Sequence, residues 1–506
     1  MFNKKIVSYL YSNADALVIS IFAVICLLIF TGHNGIGISP DSISYISTAR
    51  SIHEHWTMTD FNLKPLVAFP VFYPVFLSMV MFLTGTDIVQ SGVVLNCVLL
   101  AAVVLLSGRL LNKFHPRSAW YKRIVLLFIV FSPALTEVYS MLWSETLLIL
   151  LSLIFFLFLE KYLKHSTVKN LVICAVLAGL ATVTRYAGIT LTGTAGLMIL
   201  LAPHMDVKKK AGHIGLLSLI SFFILFLNLI RNHVLVGSLT GPRQFGHTPL
   251  LENIGYYGKT LSDWYPVFNQ DHSTSILIGL LVFTVVLLLF LYRAFKGKYY
   301  HGQENIAAAF VLVYSIFIVG ISTLSHFEGI NNRLLVPIFI PSLFALTFWL
   351  PGYFSGLRPV AKQASMVLLL GFLLLFQYNA TAQLDEMYQD AVTYGVPGYA
   401  DDSWKKSETA NFLAKHPEFL KKGIKVYSNA HDAVYFKTGL HADELPHHID
   451  KEYQEKFYQE KAHYIIWFNS IDDPELIHLS SMYKHRKLLE KYRFGDGWVF
   501  LFERKP

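Results

Sequence analysis

Between residues 15 and 380 the sequence runs apolar eleven times for close to the length that a helix needs to cross a bilayer, about 20 residues. The runs lie near 15–33, 87–108, 124–142, 144–161, 169–185, 188–203, 213–230, 274–292, 305–323, 334–350 and 364–380. Such a series predicts an α-helical polytopic membrane protein. Only 15% of the 506 residues are charged and 54% are hydrophobic, whereas a soluble domain carries roughly 25% charge. This composition excludes disorder and argues against a soluble protein. The net charge of +8 is no mark of nucleic acid, because the basic residues sit in short clusters between apolar runs. Cys26, Cys97 and Cys174 all fall inside such runs. They show no metal-ligand spacing, and they read as small buried hydrophobes.

The basic clusters give an orientation. Lys4–Lys5, Arg109 to Arg123, Lys161 to Lys169, Lys208–Lys210, Arg293 to Lys298, and Arg358 with Lys362 all fall on one side if the N-terminus is cytoplasmic. The first run has no convincing small-residue cleavage site after it and is read as a retained anchor. The stretch from Leu66 to Leu83, with prolines at 65, 70 and 74, is read as a helix in the outer interface, because counting it as a span would invert every later connection. Two outer loops, about 34–65 and 231–273, are long. After residue 380 the chain turns polar, with strand-like runs at Ile424–Ser428 and Tyr464–Phe468 and a helix-like segment between Lys406 and Lys415. Residues 1–380 are therefore expected to form the membrane domain and 381–506 a small α/β domain outside it. The histidines of this tail, His431, His447, His448 and His463, read as surface or turn residues. Tyr399 and Trp404 read as packing.

Polar groups recur beside the predicted outer ends of the spans. Pro40-Asp41 starts a helix whose Ile43, Ile46, Ala49 and Ile52 share a face; Asp41 is either a simple cap or a reacting carboxylate. Glu145 begins the fourth span, Arg185 and Tyr186 end the fifth, Arg231 and Asn232 end the seventh, and Arg243 follows. Glu328, Asn331, Asn332 and Arg333 precede the tenth. Each alone could be a snorkelling or capping group. Together they are ionisable groups at one membrane depth, which is costly and marks function. Guanidinium groups suit a phosphate, and a carboxylate suits general-base work on a hydroxyl. A sugar carried on a lipid phosphate needs both, and needs neither nucleotide nor redox cofactor. No phosphate-binding glycine loop, dinucleotide fingerprint or zinc spacing is present.

These residues resemble the GT-C superfamily of membrane glycosyltransferases, in particular the bacterial members grouped with protein O-mannosyltransferases and lipid A aminoarabinose transferases (family 39-like). The resemblance covers roughly residues 10–380 and rests on ordered short motifs: Ser39-Pro-Asp-Ser-Ile-Ser-Tyr, Phe69-Pro-Val-Phe-Tyr-Pro, Ser144-Glu-Thr-Leu, Thr184-Arg-Tyr-Ala-Gly and Asn332-Arg-Leu-Leu-Val-Pro. It implies a GT-C fold and an inverting transfer of a sugar from a polyprenyl-phosphate donor to a lipid, glycan or protein acceptor on the extracytoplasmic face of the plasma membrane. It implies Asp41 as catalytic base, with Tyr45 beside it in the motif. Glu145 becomes a second acid near acceptor or sugar, and Arg185 and Arg333 contacts to the donor phosphate. Where relatives place His or Lys before the first proline this chain has Phe69, and Lys64 is the substitute cation. Many relatives carry two adjacent acids in the first loop; here Ser42 follows Asp41, so no bound metal is expected. The alternatives are a transporter or flippase of a lipid-linked or anionic solute, and a non-catalytic assembly protein.

Overall fold

Away from water the backbone has no partner but itself, and only helices satisfy it within one segment. The computed structural model describes residues 4–114, 117–241, 246–264, 271–296, 300–325 and 329–505, with the backbone alone for 4–12. The chain divides into two compact units. The first comprises Met1–Phe30, Val67–Phe76 and Ser91–Asp390; the second comprises Thr31–Leu66, Leu77–Gln90 and Ala391–Pro506. The second is thus built from three pieces of chain, where the sequence suggested one tail beginning at 381. The helix Pro359–Tyr394 also runs unbroken past that point.

Eight helices among the described residues are long and apolar enough to cross a membrane: Asn13–Phe30, Ile88–Leu111, Glu145–His165, Val207–Val236, His272–Phe295, Gln303–Leu324, Asn332–Gly356 and Pro359–Tyr394. A bent pair, Ala119–Val130 with Pro133–Ser140, makes up to nine. The chain is a multi-pass membrane protein. The expected eleven are not reached by length alone, because Val168–Thr184 and Tyr186–Leu200 are shorter. The expected single span at 124–142 is broken by 52°. Ser132 there caps a new helix, its Oγ accepting from the Leu135 amide at 3.3 Å, and Pro133 fills the first helical position. The stretch 66–83 forms only the 13-residue helix Phe72–Thr84.

The loop expected at 231–273 is helical at both ends of its described part. Val207–Val236 carries Arg231 and Asn232 inside its last turns, and Leu250–Trp264 is a further helix. That helix lies backbone to backbone against His272–Phe295. A Cβ on Gly258 would stand 1.7 Å from the Ser275 carbonyl oxygen, so only glycine allows this approach.

In the second unit, Ser39 caps the helix Pro40–His55 in a reciprocal box with Ser42, and Asp41 follows Pro40 in the first turn. The cap is therefore Ser39. A five-stranded sheet runs in the order β2-β1-β3-β5-β4, with β1 Lys425–Ser428, β2 Asp443–Glu444, β3 Ala462–Phe468, β4 Arg486–Arg493 and β5 Gly497–Arg504. β1 is parallel to β2 and β3, while β5 is antiparallel to β3 and β4. Its core gathers Tyr427, Phe457, Ile465, Phe500 and Phe502. Tyr399 and Trp404 are buried and meet edge to face at 5.0 Å. His463, expected at the surface, is fully buried on central strand β3. Its Nδ1 lies 3.3 Å from Nη2 of the equally buried Arg486.

Candidate functional site

Three segments far apart in sequence meet at one carboxylate. Ser144 begins the helix Glu145–His165 without using its hydroxyl as a cap; that hydroxyl instead accepts from Arg185 Nη1 at 3.2 Å. Glu145 is the first helical residue, where the helix dipole favours a negative charge. Its side chain is 0% exposed. Arg185 Nη1 lies 2.7 Å and Arg333 Nε 2.6 Å from the same oxygen, Oε1. The Arg333 guanidinium also sits 4.4 Å from the centre of the Trp143 ring, a cation–π contact.

Local sequence explains how each arginine arrives there. The helix Val168–Thr184 ends because Arg185 is extended (φ −147°, ψ 138°), and one turn of 3-10 helix, Tyr186–Gly188, follows. A Cβ on Gly188 would lie 2.2 Å from the Ala181 carbonyl, so the chain doubles back here only with glycine. Asn331 caps the short helix Asn332–Leu335, its Oδ1 accepting from the Leu334 amide at 3.1 Å. That turn presents Arg333, and the Tyr314 hydroxyl donates to the Leu334 carbonyl at 2.8 Å.

Glu137 and Trp264, which nothing in the sequence singled out, join this neighbourhood. Glu137 takes a hydrogen bond from Asn332 and feels the charge of Arg333. Trp264 Nε1 donates to Asn332 Oδ1 at 3.0 Å. Tyr186 lies within electrostatic reach of Arg231, whose Nη1 donates to Asn232 Oδ1 at 2.9 Å. Arg185 and Arg333 outnumber Glu145, the one carboxylate they share, which suits an anion.

Asp41, Tyr45 and Lys64 belong to the second unit. Asp41 is half-buried in the first turn of its helix. Tyr45 is buried at 1% exposure on the inward face of that helix. Lys64 pairs with Asp443 at 2.7 Å, so its charge is already answered within its own unit. Arg243 and Glu328 lie outside the described residues. Among the described residues no three His, Cys, Asp or Glu side chains gather as metal ligands.

The fold and this ionic cluster define a polytopic membrane protein with a buried carboxylate shared by two guanidinium groups. Comparison with solved structures specifies the fold. ArnT from Cupriavidus metallidurans in the apo state aligns over 96% of this chain and 97% of its own, at TM-score 0.57 and 12% identity. The same protein bound to undecaprenyl phosphate gives TM-score 0.58 and 11% identity over the same shares. The archaeal oligosaccharyltransferase AglB from Archaeoglobus fulgidus, in complex with an inhibitory peptide and a dolichol-phosphate, aligns over 96% of this chain and 74% of its own, at TM-score 0.53 and 10% identity. These proteins are GT-C superfamily glycosyltransferases, and this chain has the GT-C fold. No family model and no curated protein sequence matches the chain.

Proposed function

We propose that the chain is an integral-membrane inverting glycosyltransferase that uses a polyprenyl-phosphate-linked sugar as donor. The observation that carries this reading is the Arg185–Glu145–Arg333 cluster in a GT-C fold, whose solved neighbours include one bound to undecaprenyl phosphate and one in complex with dolichol-phosphate. In the reaction a carboxylate takes the proton from an acceptor hydroxyl as its oxygen attacks the anomeric carbon. The bond from that carbon to the phosphate oxygen breaks, and the lipid phosphate leaves with the electron pair. Arg185 and Arg333 stabilise the growing negative charge. Glu145 holds both guanidinium groups in place, which is positioning work. Asp41 is the base in this proposal, a role resting on its first-loop motif. Tyr45 and Tyr186, from those motifs, and Arg231 and Arg243, ionisable groups beside the outer span ends, complete the proposed substrate contacts. The lipid-linked sugar is a substrate, and the proposed reaction uses no further cofactor. The clustering of basic residues supports a plasma-membrane protein with its N-terminus inside and its C-terminal domain outside.

The test is transfer by the full chain in proteoliposomes supplied with undecaprenyl-phosphate monosaccharides and an extract of membrane lipids as acceptor. Asp41→Asn is expected to cut transfer by about 100-fold or more, the contribution of a positioned base. Full transfer by Asp41→Asn removes the base assignment. Absence of transfer by the wild type with every donor removes the enzymatic reading.

A further inference from the structure

Phe131, at the bend of the broken helix pair, lines two cavities of opposite character. One, about 290 Å³, is walled mainly by apolar residues such as Leu27, Phe30, Leu100 and Ile129. The other, about 260 Å³, is lined by Glu137, Asp263, Trp264, Asn332, Gln383 and Glu386 over an aromatic floor of Phe339 and Phe376. The helix Pro359–Tyr394 serves both. Thr381, Leu384, Asp385 and Tyr388 face the first, and Phe376, Ala380, Gln383 and Met387 face the second, each set at helical spacing.

The second cavity is no place for a phosphate. Its described lining has three carboxylates and no Lys or Arg; the cation acting on Asp263 is Lys259, one turn earlier on its own helix. It offers carboxylate and amide oxygens, amide donors and ring faces, the set that holds an uncharged polyhydroxyl ring. Its volume lies just below the roughly 300 Å³ at which pockets for drug-sized ligands begin, room for about one ring, and its Asp263 and Glu386 are exposed at the mouth. One wall residue, Asn332, is the chain neighbour of Arg333, and its side chain joins Glu137 to Trp264.

We propose that this acid-lined chamber is the glycosyl subsite, holding the hydroxyls of a single sugar ring beside the guanidinium cluster that takes the phosphate. The inference rests on the glycosyltransferase reading and adds Asp263, Gln383 and Glu386 as specificity residues. The ring comes from the donor or from a glycan acceptor; the chemistry is shared and the measurement separates them.

The full chain in detergent is probed by native mass spectrometry with undecaprenyl phosphate, undecaprenyl-phosphate hexoses, and methyl hexosides as acceptor mimics. Asp263→Asn and Glu386→Gln are the variants, because Glu137 is coupled to Arg333. Both are expected to bind undecaprenyl phosphate as the wild type does, which also reports folding. Both are expected to lose about tenfold affinity for a sugar-bearing probe, the effect of losing a hydrogen bond to a charged group: for the hexose-carrying lipid if the ring is the donor's, for the methyl hexoside if it is the acceptor's. Unchanged affinity for every sugar-bearing probe, or an equal loss for undecaprenyl phosphate, overturns the chamber while leaving the glycosyltransferase reading standing. A wild type that binds no probe overturns both.

Discussion

Glu145, fully buried, accepts through one oxygen from two guanidinium groups that are themselves 18% and 20% exposed. Removing one partner of such a pair leaves charges buried and uncompensated, at a cost of about 3–5 kcal/mol. Glu145→Ala is therefore expected to lower the unfolding midpoint of the full chain and to abolish transfer. Glu145→Gln keeps an acceptor without the charge and is expected to fold while losing transfer by about 100-fold. Arg333→Lys is expected to fail as a replacement: an ammonium cannot both reach Oε1 and lie over Trp143 as a planar group; unimpaired transfer by that variant would show that the charge alone suffices. In the second unit, burial first and Arg486 next push the His463 imidazole down to about 3. The unfolded chain takes up a proton near pH 6.5 and the folded one does not. Stability is complete above that value and declines as pH falls toward 3. At pH 5 the loss is about 2 kcal/mol. Hydrogen exchange of the β3 amides at pH 7 and pH 5 measures this, and His463→Asn is expected to flatten the dependence.

Two glycines set the paths of their helices. Gly188→Ala places a methyl against the Ala181 carbonyl, so the turn after Arg185 must open and the guanidinium must leave Glu145. The expected result is lost transfer with the remaining helices intact by circular dichroism. Gly258→Ala is expected to push Leu250–Trp264 off its neighbour and, through Trp264, to disturb Asn332; faster proteolytic cleavage within Leu250–Trp264 reads this. The sequence showed some of these elements and hid others for identifiable reasons. Runs of 20 apolar residues are conspicuous, as is the strand-like Tyr464–Phe468. The helix Leu250–Trp264 escaped because its Glu252, Asn253, Lys259 and Asp263 read as loop, although Tyr257, Leu261 and Trp264 mark a buried face at helical spacing. Ser132-Pro133 was a legible helix start inside an apolar run, and length overrode it. β4, with Arg486, Lys487, Glu490, Lys491 and Arg493, is an edge strand whose charges mask its alternation.

The expected architecture, a helical membrane body with a small sheet-containing domain, is the one found, and the GT-C likeness inferred from short motifs agrees with the solved neighbours. Glu145, Arg185 and Arg333 were legible because ionisable groups at span ends are rare enough to notice. Glu137 was not, since nothing local distinguishes it from a polar residue closing a span; only the return of Asn332 from far along the chain gives it meaning. Orientation remains a prediction of the basic clusters: a cysteine placed at Lys209 is expected to resist an impermeant maleimide in intact cells, and one at Lys451 to react. The ionic cluster also has a history during synthesis. Glu145 emerges from the ribosome 188 residues ahead of Arg333, so for most of translation the nascent carboxylate has Arg185 as its earliest available counterion and must wait for the second. A chain terminated before Asn332 keeps a neutral Glu145–Arg185 pair, and the net positive charge that suits a phosphate arises only when Arg333 arrives.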